Sequence, residues 1–153
     1  MNGLVHFLAY HRWVLYPLGI VLIVLASLSF SALQIAYART KYKWLQRRRS
    51  GHNLETFRSH FFEREISHRV IEKIYHYFQS RTGLRDFAVL PDDRIRLIYG
   101  LDDKEVGAIL DKLSGALQCG ELDDADWFEG RQVKTIADLV IFFNSLRENR
   151  KRK

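Results

Sequence analysis

His52, His60, His68 and His76 recur every eight residues, the first spacing in this sequence that could do chemistry, as metal ligands. Eight helical residues turn the chain through about 800° and advance it ~12 Å, so neighbouring imidazoles stand about 80° apart and too distant to share one ion. Surface histidines are the expectation. The run ELDDADWFEG gathers Asp123, Asp124, Asp126 and Glu129, oxygen donors suited to a hard cation, but it lacks the alternating ligands and terminal Glu of a calcium loop. A solvated acidic turn is expected there. Cys119 is the single cysteine, so neither an internal disulfide nor a Cys-x-x-Cys metal or redox pair can form, and a reducing compartment fits. No Gly-rich phosphate cradle and no Gly-x-Ser-x-Gly elbow is present. The sequence therefore predicts no catalytic residue, no metal and no cofactor, and a protein that is not an enzyme.

The elements that would carry a function are better marked. A net charge of +6 suggests nucleic acid until its distribution is seen: residues 1–50 hold seven Lys or Arg and no Asp or Glu, leaving 17 basic against all 18 acidic side chains beyond. The basic character belongs to the first third, so no nucleic-acid face is expected on the folded part.

From Trp13 to Ala38 no residue is charged. At ~1.5 Å per residue this run makes about 39 Å of helix, enough to cross a hydrocarbon layer of about 30 Å with some tilt. Pro17 falls near its first turn, where a missing N–H costs little. Trp13, Tyr16, Tyr37 and Trp44 sit where amphipathic rings favour the headgroup layer. Arg39, Lys41, Lys43, Arg47, Arg48 and Arg49 follow the span while Arg12 alone precedes it, which predicts the N-terminus outside and the remainder in the cytoplasm. Lys41, Lys43, Arg47, Arg48 and Arg49 are the candidate lipid-headgroup contacts. Ala36-Tyr37-Ala38 imitates a signal-peptide cleavage site, but such apolar regions run only ~7–15 residues, and the basic cluster behind it opposes export.

The cytoplasmic part reads as helices throughout. Asn53 is a candidate N-cap for a connector carrying Leu54, Phe57 and Phe61. Val70, Ile71, Ile74, Tyr77 and Phe78 follow Ser67 at helical spacing, with Gly83 as the stop. Residues 84–100 are irregular, with Pro91-Asp92-Asp93 as a turn. Asp102 or Asp103 caps a helix striped by Val106, Ile109, Leu110, Leu113 and Leu117. Thr135 and Asp138 open a last helix in a capping-box arrangement with Asp in place of Glu or Gln, and Arg147 to Lys153 form a solvated, frayed tail. The predicted fold class is all-α: one N-terminal transmembrane helix followed by a small cytoplasmic four-helix bundle. The boundaries are 1–50 for the anchor with its basic segment (span about 13–38), 51–66 for the connector, 67–146 for the helical domain and 147–153 for the tail.

This order of a first helix, a long loop with a Pro-Asp-Asp turn, a second helix opened by GLDDKEV, an acidic connection and a final helix opened by VKTIADLVIFF resembles an acyl carrier protein over about residues 67–144. In that family the second helix opens on Asp-Ser-Leu, and the serine carries phosphopantetheine at a helix N-terminus. Asp103 stands at the serine position, and a carboxylate cannot accept that group. Ser114, the nearest serine downstream, lies deep in the helix. The resemblance thus implies a carrier-like domain without the prosthetic group, with bacterial origin and hence the cell inner membrane. It also implies that the helix start at Asp102, Asp103, Glu105 and Val106, with the acidic connection, meets a protein partner. Trp127 and Phe128 are candidate apolar anchors there, core packing being their alternative role. The function expected is a membrane-tethered, non-catalytic protein-interaction module whose partners are the lipid bilayer and an unidentified protein, with no small-molecule substrate. The alternative is an acyl carrier or lipid-handling accessory at the membrane. A third reading packs the span itself in a larger complex through Ser27, Ser29, Ser31 and Ala32.

Overall fold

A computed structural model describes residues 2–151, and for 2–18, 31 and 35 it describes the backbone alone. The readings placed on the side chains of Trp13, Tyr16, Pro17 and Ser31, and on Arg152 and Lys153, lie outside the described residues. Helices account for all the regular structure: α1 (Asn2–Arg48), α2 (Leu54–Ser59), a 3₁₀ turn (Phe62–Arg64), α3 (His68–Arg81), α4 (Ile95–Tyr99), α5 (Asp103–Leu117), α6 (Asp124–Gln132) and α7 (Ile136–Lys151). Among the described residues no strand forms; a lone antiparallel bridge joins Arg94 to Thr135. The fold is all-α.

The chain divides into two units, residues 1–41 and 42–153. The first is α1 up to its basic end, and it contains one helix long and apolar enough to cross a membrane. The large apolar side chains from Ile20 to Leu33 are 50–68% exposed. The hydroxyls of Ser27, Ser29 and Thr40 donate back to the carbonyls of Ile23, Leu25 and Ala36 at 2.8, 2.8 and 2.9 Å. Each serine or threonine thus spends its hydrogen-bonding capacity on its own helix.

In the second unit α3 packs on α5 and α7, α6 packs on the same two helices, and α2 lies on α3. Phe57, Phe78, Phe87, Ile74, Leu110 and Phe143 are fully buried at the centre. Glycines permit the closest approach of α5 and α6: a Cβ on Gly107 would stand 3.3 Å from the Trp127 ring, and one on Gly130 would stand 2.6 Å from Leu110 Cδ1. α3 stops where expected, because Gly83 takes φ +69°, a backbone that side chains with a Cβ resist.

Three departures from the sequence reading have local causes. Residues 95–99, expected as loop, form the short helix α4, seated by the buried Ile95 and Tyr99. The acidic stretch expected as a solvated turn is α6. Asp123 accepts from the Asp126 N–H at 2.8 Å while Asp126 accepts from the Asp123 N–H at 3.2 Å, a reciprocal box that turns acidic side chains into helix starters. The basic tail, expected to fray, continues α7 to Lys151. Arg147 donates to Ser67 Oγ at 2.5 Å, and Arg150 donates to the Glu121 carbonyl and, at 3.2 Å, to Asp126.

The Thr135–Asp138 box forms as expected. Thr135 Oγ1 accepts from the Asp138 N–H at 3.1 Å, and Asp138 accepts from the N–H groups of Thr135 and Lys134 at 2.9 and 3.2 Å. Burial raises the Asp138 pKa, but the backbone and hydroxyl hydrogen bonds of Thr135 and the Lys134 N–H outweigh it and hold the carboxyl below its ordinary value. A depressed folded-state pKa gives stability that is present above the unfolded value of ~3.9 and lost as pH falls through the folded one. Asp138→Ala is therefore expected to lower the unfolding free energy most at neutral pH, the gap to wild type closing below about pH 4 in urea titrations. Asp123→Ala removes the α6 cap and is expected to cost about 1 kcal/mol by the same measurement.

Candidate functional site

The residues expected to meet a partner sit at the start of α5, and their local structure absorbs them. Asp102 caps the helix by accepting from the Glu105 N–H at 2.7 Å, and Glu105 returns the bond to the Asp102 N–H at 3.1 Å. Glu105 also pairs with Arg81 at 3.3 Å, and Asp103 pairs with Arg96 at 2.5 Å. These pairs are solvent-exposed and worth little in stability, but they offset the acidic field of the helix start. Val106, expected on the contact surface, is 3% exposed and belongs to the core: its place in the apolar stripe turns it inward. Asp102, Asp103 and Glu105 remain at the surface; Val106 is withdrawn from it.

Arg49 is likewise withdrawn from the expected headgroup set. It is 8% exposed, with Nη1 and Nη2 donating to the Asp93 carboxylate at 2.8 and 2.5 Å and Nη1 also donating to the Ala88 carbonyl at 2.8 Å. Its guanidinium stands 5.0 Å from the centre of the Phe87 ring. Asp93, itself 4% exposed, further accepts from the Leu90 N–H at 3.0 Å and the Tyr99 hydroxyl at 3.1 Å. Burial, and then the neighbouring Asp93 charge and hydrogen bond, push the Tyr99 phenol far above its ordinary range, so it is a fixed donor. Sequence reasoning saw Asp93 only as half of a turn; the available signal was an acid beside a predicted core aromatic with one arginine directly behind the span.

Of the remaining basic residues, Lys43 and Arg47 are exposed, Lys41 is half-buried, and Arg48 lies 4.0 Å from the centre of the Trp44 ring. Trp44 is half exposed, so an aromatic ring and a cation share one surface at the end of the basic segment.

The other candidates resolve individually. His52, His60, His68 and His76 are all exposed, and among the described residues no group of His, Cys, Asp or Glu is placed to hold a metal ion. Ser114 is buried and donates to the Gly120 carbonyl at 2.5 Å, a structural bond at the end of α5. Burial pushes the Cys119 thiol up, away from a reactive thiolate. Trp127 and Phe128 part company: Trp127 is half-buried against Gly107, and Phe128 is 68% exposed. Two open grooves border α6. One of about 390 Å³ lies beside Trp127 and Phe128, and one of about 340 Å³ lies between α6 and α7.

No family model, no curated protein and no solved structure matches this chain. The carrier resemblance rests on its element order and on the residues quoted for it.

Arg49→Ala leaves Asp93 charged and buried without its counter-ion. It is expected to destabilise residues 42–153 by about 3–5 kcal/mol, read by chemical unfolding of the full chain in detergent. Lys43→Ala, at an exposed position, is expected to change stability by less than about 0.5 kcal/mol.

Proposed function

We propose that this chain is a membrane-tethered, non-catalytic interaction module, in which α1 crosses the bilayer and residues 42–153 present a small helical surface to a protein partner on the cytoplasmic side. The observation that carries the tether is the exposure of every described large apolar side chain from Ile20 to Leu33 on a helix whose backbone runs unbroken from Asn2 to Arg48. In water each such side chain forgoes ~1.5–3 kcal/mol of burial; hydrocarbon removes that cost on all sides at once.

Orientation is read from charge. Arg39, Lys41, Lys43, Arg47 and Arg48 flank the C-terminal end of the span, which favours that end inside, with Lys41, Lys43, Arg47 and Arg48 at the headgroups of the inner membrane.

The domain is read as a carrier-like four-helix bundle, α3, α5, α6 and α7 being its long members and α4 lying in the loop before the second. Asp103 is the first residue of α5, where the carrier serine would stand. The acidic side chains here cap helices and pair with arginines, which supports a role in binding over one in chemistry.

The reading predicts that Asn2→Cys, in a Cys119→Ala background, reacts with a membrane-impermeant maleimide on intact cells, and that Glu63→Cys reacts only after lysis. The reverse pattern would overturn the orientation, and release of the chain by alkaline carbonate would overturn the tether. Photo-cross-linkers at exposed domain positions in native membranes are expected to yield a discrete protein adduct. The absence of any such adduct, together with an intact mass carrying phosphopantetheine or an acyl chain, would replace the module by a carrier.

A further inference from the structure

The groove between α6 and α7 combines an apolar floor with an acidic rim. Val133 is buried in the floor, while Ile141 and Phe142 are half-exposed. Asp126, Glu129 and Asp138 stand around it, the other polar lining residues are neutral, and no Lys or Arg contributes to the lining. Its volume of about 340 Å³ falls at the small end of ligand pockets, and it opens to solvent as a trough along two helices.

The three carboxylates are not equivalent. Arg150 offsets Asp126 at 3.2 Å. Asp138 spends its lone pairs on the N–H groups that start α7, which keep it ionised. Glu129 lies on the exposed side of α6 with no hydrogen-bond or ion-pair partner among the described residues. Apart from Asp126 with its arginine, two negative charges therefore border half-covered apolar surface. An anionic or purely apolar ligand would leave those charges facing it uncompensated. A ligand with both a cation and an aliphatic side chain satisfies rim and floor together, and successive turns of a basic amphipathic helix present that pair at i and i+3 or i+4.

We propose that the α6–α7 groove is the docking surface for a Lys- or Arg-bearing amphipathic helix of a partner protein, the cation meeting Glu129 and the apolar face covering Ile141 and Phe142. This rests on the interaction-module reading and moves the contact from the start of α5, where Arg81 and Arg96 already engage the acids, to a face where one acid is unengaged.

The test uses the full chain in an uncharged detergent and a fluorescent 15-residue peptide of Leu and Lys at helical spacing. Saturable binding is expected, weakened at least ten-fold by Glu129→Lys and unchanged by Asp111→Lys on the exposed face of α5. Amide resonances of residues 129–142 are expected to shift on titration, and circular dichroism checks that each variant folds. No binding, equal binding of a composition-matched scrambled peptide, or equal weakening by Asp111→Lys would overturn the proposal. Displacement of the peptide by added unlabelled chain would also overturn it, because the occupant would then be a second copy. If any of these occurs while the photo-cross-linked protein adduct persists, the groove assignment fails and the module reading stands.

Discussion

A buried carboxylate in a low-dielectric interior must be compensated or it unfolds its surroundings, and Asp93 is compensated from four directions. Arg49 comes from the residue after α1, Leu90 from the loop, Tyr99 from α4, and the Asp93 carbonyl receives the Ile136 N–H at 3.1 Å from the start of α7. Breaking such a pair is costly even where forming it is nearly neutral, so its effect is to specify one arrangement of these segments. The aromatic residues around it follow suit. Tyr42 meets Phe87 edge-on at 5.6 Å, and Tyr99 stacks at 4.7 Å on Phe78 of α3. The loop between α3 and α5, irregular in sequence, is thereby as fixed as the helices beside it.

A second constraint repeats along the chain. Three helices, α5, α6 and α7, each begin at a reciprocal box in which one acidic residue occupies the third helical position. Carboxylates near a helix N-terminus meet unsatisfied N–H groups and the positive end of the macrodipole, so acidity in this domain is largely a folding device. That accounts for much of the acidic composition that a carrier resemblance would assign to partner binding, and it makes an unengaged acid such as Glu129 informative.

The helical class, the apolar span, the Asn53, Asp102 and Thr135 starts and the Gly83 stop were legible in the residues, because each is a local signal of spacing or capping. Where the reading fell short, the deciding partner lay far along the chain. α6 has few apolar residues and gains its place from α5 and α7; α4 is seated by Tyr99 on Asp93; Arg150 finds Asp126 24 positions away. The candidate site divided the same way. Asp102, Asp103 and Glu105 are surface residues as expected, whereas Val106 and Arg49 were assigned to binding from sequence neighbourhood alone, which does not record which way a side chain turns.

The position of Arg49 also sets where this protein can be cut. Ser50 to Asn53 is an exposed turn just after a long apolar helix, the obvious place to separate anchor from domain, for a protease as for a protein chemist. A fragment beginning there would lack Tyr42, Leu45 and Arg49, all of which pack into or pair with the domain. The freed piece would carry an acid with no counter-ion at its centre. Shedding from the membrane would therefore tend to end in degradation of the domain, and its lifetime becomes tied to its attachment.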